Sequence, residues 1–128
     1  MIYVDSSVLL ADLFAEPRSP PEMLWEGDLA SSRLLAYEVW NRINAYGLMV
    51  SHGARARGLL ARVNLTEMRD LALARALEPF PVTVRTLDAL HLATMEFLRA
   101  QGEPVELASY DNRLLAAARA LGIPIAAL

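Results

Sequence analysis

Ile2-Tyr3-Val4-Asp5-Ser6-Ser7-Val8-Leu9-Leu10 opens the chain, and its reading decides the class of fold. Three consecutive apolar residues with no polar face suit a strand buried on both sides. Asp5-Ser6-Ser7 follows, rich in helix-capping types, and Val8 to Phe14 then reads as a short helix. A buried strand handed directly to a helix is how an alternating α/β chain begins.

The pattern continues outward. Glu16 to Glu22 holds Pro17, Pro20 and Pro21 and reads as a loop, with a short helix around Met23 to Trp25 and a brief strand at Leu29-Ala30. Ser31-Ser32 sits where a cap is needed for a helix whose buried stripe runs Leu35, Val39, Ile43, Tyr46, Val50, at spacings of four and three. Ala54–Val63 and Thr66–Leu77 have helical patterns; Pro79 and Pro81 end the second, and Val82-Thr83-Val84 is β-branched enough to be extended. Thr86 starts the clearest helix, with Leu87, Leu90, Thr94, Phe97 and Leu98 on its buried face and Gly102 as its stop. Val105 to Ser109 reads as a strand and Asn112 to Leu121 as an Ala-rich helix. Ile123 to Ala126 reads as a terminal strand whose Pro124 implies an edge. The order β-α-(β)-α-α-α-β-α-β predicts one α/β domain over residues 1–128. Its central sheet should be mainly parallel, with helices on both faces.

Composition narrows the function. A chain of 128 residues with 55% hydrophobic content suits one core, excludes disorder, and leaves apolar surface for a partner. The net charge of -3 does not announce nucleic-acid binding, although one bound Mg²⁺ would bring it to -1. All 12 basic residues are arginines, and the missing lysine removes a P-loop kinase. It also speaks against an aspartyl-phosphate enzyme, as does the lack of a second aspartate two residues after Asp5. With no cysteine, disulfides, thiolate metal sites and cysteine nucleophiles are excluded. Met1-Ile2-Tyr3 leads straight into a strand, so no secretory signal or membrane span is expected and the cytoplasm is the expected location.

Four acids fall at the ends of apolar elements: Asp5, Glu38, Asp88 and Asp111. Asp5 and Asp111 follow predicted strands, and in open α/β sheets ligands bind outside the carboxyl ends of strands. Each acid also has an ordinary role available. Asp5 and Asp111 would cap the helices they precede, although Ser6, Ser7 and Asn112 are alternative caps. Asp88 would answer a helix dipole, and Glu38 would pair with Arg42 one turn on. Taken together, four carboxylates in one cleft repel one another, and a hard divalent cation with oxygen ligands is the remedy. Ser6, Ser7 and Ser109 stand where hydroxyls would orient carboxylates. His91, alone on an apolar helix, reads as a satisfied core residue outside the site.

The motifs resemble those of a known family. Val4-Asp5-Ser6-Ser7-Val8-Leu9-Leu10 resembles the opening motif of PIN-domain ribonucleases. Leu87-Asp88-Ala89-Leu90-His91-Leu92-Ala93 is similar to the most recognisable motif of the VapC toxin branch. Ser109-Tyr110-Asp111-Asn112-Arg113-Leu114, with Leu121-Gly122-Ile123-Pro124, resembles that branch's closing motif, and Glu38 in Tyr37-Glu38-Val39 matches its second acid. The similarity spans essentially the whole chain. Two departures stand out: the stretch between Thr66 and Arg85 is shorter than usual, and Ser109 stands where threonine is also common.

The resemblance implies a PIN-like fold and an endoribonuclease that depends on Mg²⁺ or Mn²⁺. Asp5, Glu38, Asp88 and Asp111 would be its catalytic and metal-binding acids. It implies the toxin of a toxin–antitoxin pair, silenced by a cognate antitoxin, and a homodimer. The expected reaction is hydrolysis of single-stranded or loop RNA by water that the metal activates, leaving a 5'-phosphate and a 3'-hydroxyl. Asp5 is the expected central ligand. Glu38 and Asp111 complete the shell, and Asp88 binds metal or orients the water. Arg18, Arg42, Arg85 and Arg113 are the arginines nearest these acids in sequence, and so candidates to hold phosphates. The alternative is a catalytically inactive PIN-like binding module, whose exposed part of Trp25, Tyr37, Trp40, Tyr46 and Met49 would receive a protein partner.

Overall fold

The computed structural model describes all residues, Met1–Leu128. Four short parallel strands, β1 (Ile2–Val4), β2 (Leu29–Ser32), β3 (Asn64–Thr66) and β4 (Glu106–Ala108), form one sheet in the order β3-β2-β1-β4. Six helices connect them: α1 (Ser6–Leu13), α2 (Leu34–Ala45), α3 (Met49–Leu60), α4 (Asp70–Ala76), α5 (Thr86–Ala100) and α6 (Asn112–Ala120). A 3₁₀ turn covers Glu22–Glu26.

Side chains alternate across a strand, so adjacent residues serve opposite faces. Val4 and Ala108 pair in register and join the core under α1, α2 and α3, with Leu9, Leu35 and Ile43. Tyr3 and Leu107, one residue back, join the core under α5 and α6, with Leu92, Met95 and Leu114. The sheet is therefore covered on both faces, as the wholly apolar β1 in its interior requires. α4 packs on α5 rather than on the sheet.

Chain order places the site. From β1 the chain winds outward through β2 to β3, then returns to lay β4 on the other side of β1. The carboxyl ends of β1 and β4 thus border the point where the winding reverses, where such sheets leave a crevice. Asp5 N–H donates to the Ala108 carbonyl at 3.1 Å, holding the two strand ends together there.

The structure departs from the sequence pattern in several places. The helical stripe from Leu35 to Val50 is broken: Gly47 takes φ +65°, a new helix starts at Met49, and Val50 is 98% exposed. Asn64–Thr66 is a strand beside Ala30–Ser32, not the start of a helix. Three residues carry no periodicity, and β2 had a free edge to offer them. Ser31 and Ser32 lie inside β2, although Ser32 Oγ still accepts from Leu34 N–H at 3.2 Å, as a cap would. The C-terminal segment makes only a single bridge, Ile125 with Leu107, because Pro124 has no N–H to extend a ladder. Val82–Val84 forms no strand, and Val82 lies in a bend.

Two glycines test this account with opposite signs. Neither meets another atom where a Cβ would stand. Gly58→Ala, within α3, should raise stability by about 0.5–1 kcal/mol, while Gly47→Ala forces a side chain into the left-handed region and should cost roughly 1 kcal/mol. Urea unfolding of the two variants checks both.

Candidate active site

Asp5 is almost fully buried at the end of β1, and one of its oxygens is fully engaged. Oδ2 accepts from Ser7 Oγ (2.7 Å), Ser109 Oγ (2.9 Å) and, more loosely, Ser7 N–H (3.3 Å). No donor reaches Oδ1. The two serines also bind the neighbouring loop: Ser7 Oγ accepts from Tyr110 N–H and Ser109 Oγ from Asp111 N–H, both at 2.9 Å. These hydroxyls lock the end of β4 to the start of α1 and fix the orientation of the carboxylate between them.

Asp111 repeats the arrangement at the start of α6. Its Oδ1 accepts from Arg113 N–H at 2.9 Å and Leu114 N–H at 3.4 Å, and Oδ2 takes part in neither bond. Both aspartates therefore take the ordinary capping role open to them, and the alternative caps Ser6, Ser7 and Asn112 do not. The capping role and a role in the cleft are compatible, because a carboxylate has two oxygens and each cap uses one.

Glu38 projects from the first turns of α2. It pairs not with Arg42 but with His91 Nε2, and its second oxygen accepts from Ser6 Oγ at 3.2 Å. His91 comes from α5, is fully buried, and meets the Tyr3 hydroxyl at 2.7 Å through Nδ1. Tyr3 in turn accepts from Ser32 N–H at 3.1 Å. The expectation for His91 holds in one respect, since it is a satisfied core residue. It fails in another, since the partner that satisfies it is an acid of the cleft. Ligand-type atoms of Asp5, Glu38 and His91 lie within 4.8 Å of one another. The signal was present in sequence: His91 lies three residues after Asp88, on nearly the same helix face.

Electrostatics follow from this packing. Burial alone would lower the His91 imidazole, but the Tyr3 oxygen and the Glu38 carboxylate overcome it and push the ring up to about 10. At neutral pH it is an imidazolium that donates to Glu38, not a free ligand nitrogen. Asp88, half-buried in the first turn of α5, is raised by burial first and then by the charges of Asp111 and Asp5. No hydrogen bond relieves it.

All four acids line one cleft of about 690 Å³, together with Arg18, Arg42 and Arg85, while Arg113 stays outside it. A larger cavity of about 1040 Å³ between α4 and α5 has mostly apolar walls and none of these acids, so size alone does not locate the site. The cleft's carboxylates supply hard oxygen donors, a free Oδ1 on Asp5 and mutual repulsion, the combination that Mg²⁺ or Mn²⁺ fits.

Comparison with known proteins agrees in extent. The family model for the PIN domain matches residues 2–121. Ribonuclease VapC47 of Mycobacterium tuberculosis is 32% identical over 129 residues, covering 95% of this chain and 93% of that protein. Ribonuclease VapC46 of the same species is 34% identical over 131 residues, covering 98% and 96%. Ribonuclease VapC35, also from that species, is 31% identical over 134 residues, covering 99% and 96%.

The raised Asp88 fixes the sign of a pH effect. Because the folded state holds this proton more tightly than the unfolded chain, Asp88 opposes folding increasingly as pH rises from its ordinary value of 3.8 through its raised folded value. In EDTA, Asp88→Asn should therefore melt above the parent at neutral pH and match it at acid pH. Saturating Mg²⁺ should raise the parent's Tm more than the variant's, measured by scanning calorimetry.

Proposed function

Starting from a chain that belongs to the PIN-domain family, alongside the VapC ribonucleases, we propose that this protein is a divalent-metal-dependent endoribonuclease and the toxin of a toxin–antitoxin pair. The observation that carries this reading is the Asp5 carboxylate. One oxygen is saturated by Ser7 and Ser109 and the other is left free, in a cleft shared with Glu38, Asp88 and Asp111.

Asp5, Glu38, Asp88 and Asp111 would hold Mg²⁺ or Mn²⁺, and a bound cation supplies positive charge that eases deprotonation of water and offsets charge at phosphorus. The protein's own groups do the rest. Ser7 and Ser109 hold Asp5 in one orientation, and Ser6 with the His91 imidazolium does the same for Glu38. Asp111 is fixed by its cap. Asp88 is raised, half-buried and free of hydrogen bonds, which suits it to orient the attacking water and accept its proton. Water attack on phosphorus expels the 3'-oxygen, so the products are a 5'-phosphate and a 3'-hydroxyl.

Exposed apolar side chains support the partners. Leu71, Leu73 and Leu77 on and after α4 are exposed, Leu77 by 89%, and so are Tyr37 on α2 and Met49 and Val50 on α3. A second copy of the chain and a cognate antitoxin would cover them. No helix is long and apolar enough to cross a membrane, and we place the protein with its RNA in the cytoplasm.

Purified protein free of antitoxin should cut total cellular RNA into discrete products with Mg²⁺ or Mn²⁺ and not with EDTA. Asp5→Asn should abolish cutting. Ser109→Ala should slow it by roughly 10–100-fold, the usual cost of removing a hydrogen-bond partner from a metal ligand. Cutting that survives Asp5→Asn in the purified protein would refute the assignment. Light scattering should give the mass of two chains, and Leu77→Asp should shift it toward one if the α4 face makes the dimer.

A further inference from the structure

The cleft carries arginines that its acids do not use. Arg33, Arg55 and Arg75 each pair with a carboxylate elsewhere on the surface. Arg18, Arg42 and Arg85 line the cleft beside five carboxylates, counting Glu16, and none of the three forms an ion pair. Two of them rest on tyrosines instead. The Arg18 guanidinium lies 5.2 Å from the centre of the Tyr110 ring, and that of Arg42 lies 6.0 Å from Tyr46. Both tyrosines line the same cleft.

Position gives these stacks meaning. Tyr110 immediately precedes Asp111, and the Ser7 hydroxyl fixes its backbone N–H. Glu38, Arg42 and Tyr46 follow one another at intervals of four, so they share one stripe of α2 and its C-cap. Phe14 packs edge-on against Tyr46, with ring centres 5.9 Å apart, and Phe14 also lines the cleft. An arginine stacked on an aromatic ring keeps its charge and its N–H edge. The contact restrains where the guanidinium sits, so less freedom is lost when an anion binds.

We propose that Arg18 on Tyr110 and Arg42 on Tyr46 are two preset phosphate clamps, which hold a single RNA strand at phosphates other than the one that the carboxylates act on. This rests on the nuclease reading and deepens it: the substrate must be an oligonucleotide long enough to reach both clamps. The arginines touch the RNA, and the tyrosines are positioning residues. A single strand is favoured because its flexible backbone can bring separate phosphates to two arginines lining one cleft.

The test separates grip from chemistry. Binding of a fluorescent single-stranded decamer is measured by anisotropy in the Asp5→Asn protein across a salt series, and cutting of the same decamer and of a dinucleotide is measured in the parent. In the Asp5→Asn background, Arg18→Gln and Arg42→Gln should each weaken binding roughly fivefold to tenfold and lower the salt slope by about 0.7. Tyr110→Leu and Tyr46→Leu should weaken binding without changing the slope, and Tyr→Phe at either position should restore it. In cutting, Arg18→Gln and Arg42→Gln should raise KM for the decamer and leave kcat intact. The dinucleotide, with one phosphate, should be a poor substrate for the parent. Unchanged binding and slope in the double arginine variant would overturn the clamps while leaving the nuclease reading intact. A parent that binds through these arginines but cuts nothing would sink the nuclease reading and not the grip.

Discussion

The site depends on one carboxylate oxygen. Asp5 Oδ2 draws Ser7 and Ser109 to it from two elements 102 residues apart in sequence, and the same hydroxyls accept from the backbone of Tyr110 and Asp111. Burying an ionised carboxylate without such donors would be prohibitive, so the burial of Asp5 and the closure of the β1–β4 crevice are one event. Everything acidic in the cleft is placed relative to it. β4 is held beside β1, α6 starts where Asp111 caps it, and α1 starts where Asp5 caps it.

Charge around that oxygen is deliberately unbalanced. Five carboxylates face three guanidiniums across the cleft, an excess of two negative charges, and none of the three arginines pairs with an acid. The one close pairing, His91 with Glu38, is made from the buried side, where the imidazolium fixes Glu38 without closing the mouth. A cleft whose acids stay unneutralised from the solvent side has room for a cation, and two of its arginines lie over tyrosines rather than against acids.

Much of this was legible in residues 2–10 and in the acids. The alternation of apolar runs with helical stripes required a parallel sheet covered on both faces, and helices α1, α5 and α6 fall near where their caps and glycines put them. The acids were legible as a group because each ends or begins an apolar element. Three things were not legible. β3 is three residues long, and only its hydrogen bonds to β2 define it. The break between α2 and α3 turns on Gly47 adopting a left-handed conformation, which a glycine permits but does not require. The role of His91 depends on Glu38 and Tyr3, which lie 53 and 88 residues away.

Local pattern determined what could be determined locally: most of the helices and the strands β1 and β4, that the sheet is parallel, and that four acids gather where ligands bind in such sheets. Those follow from periodicity and capping, whose range is a few residues. The tertiary structure decided which oxygen of each acid is used. It gave Asp5 its serines, gave Glu38 to His91 rather than Arg42, and let the aspartates cap their helices with one oxygen while leaving the other out of the cap. It also set two arginines over two tyrosines that line the cleft. Hydrogen bonds and stacking act over a few ångströms of space, and distance along the chain carries no record of them.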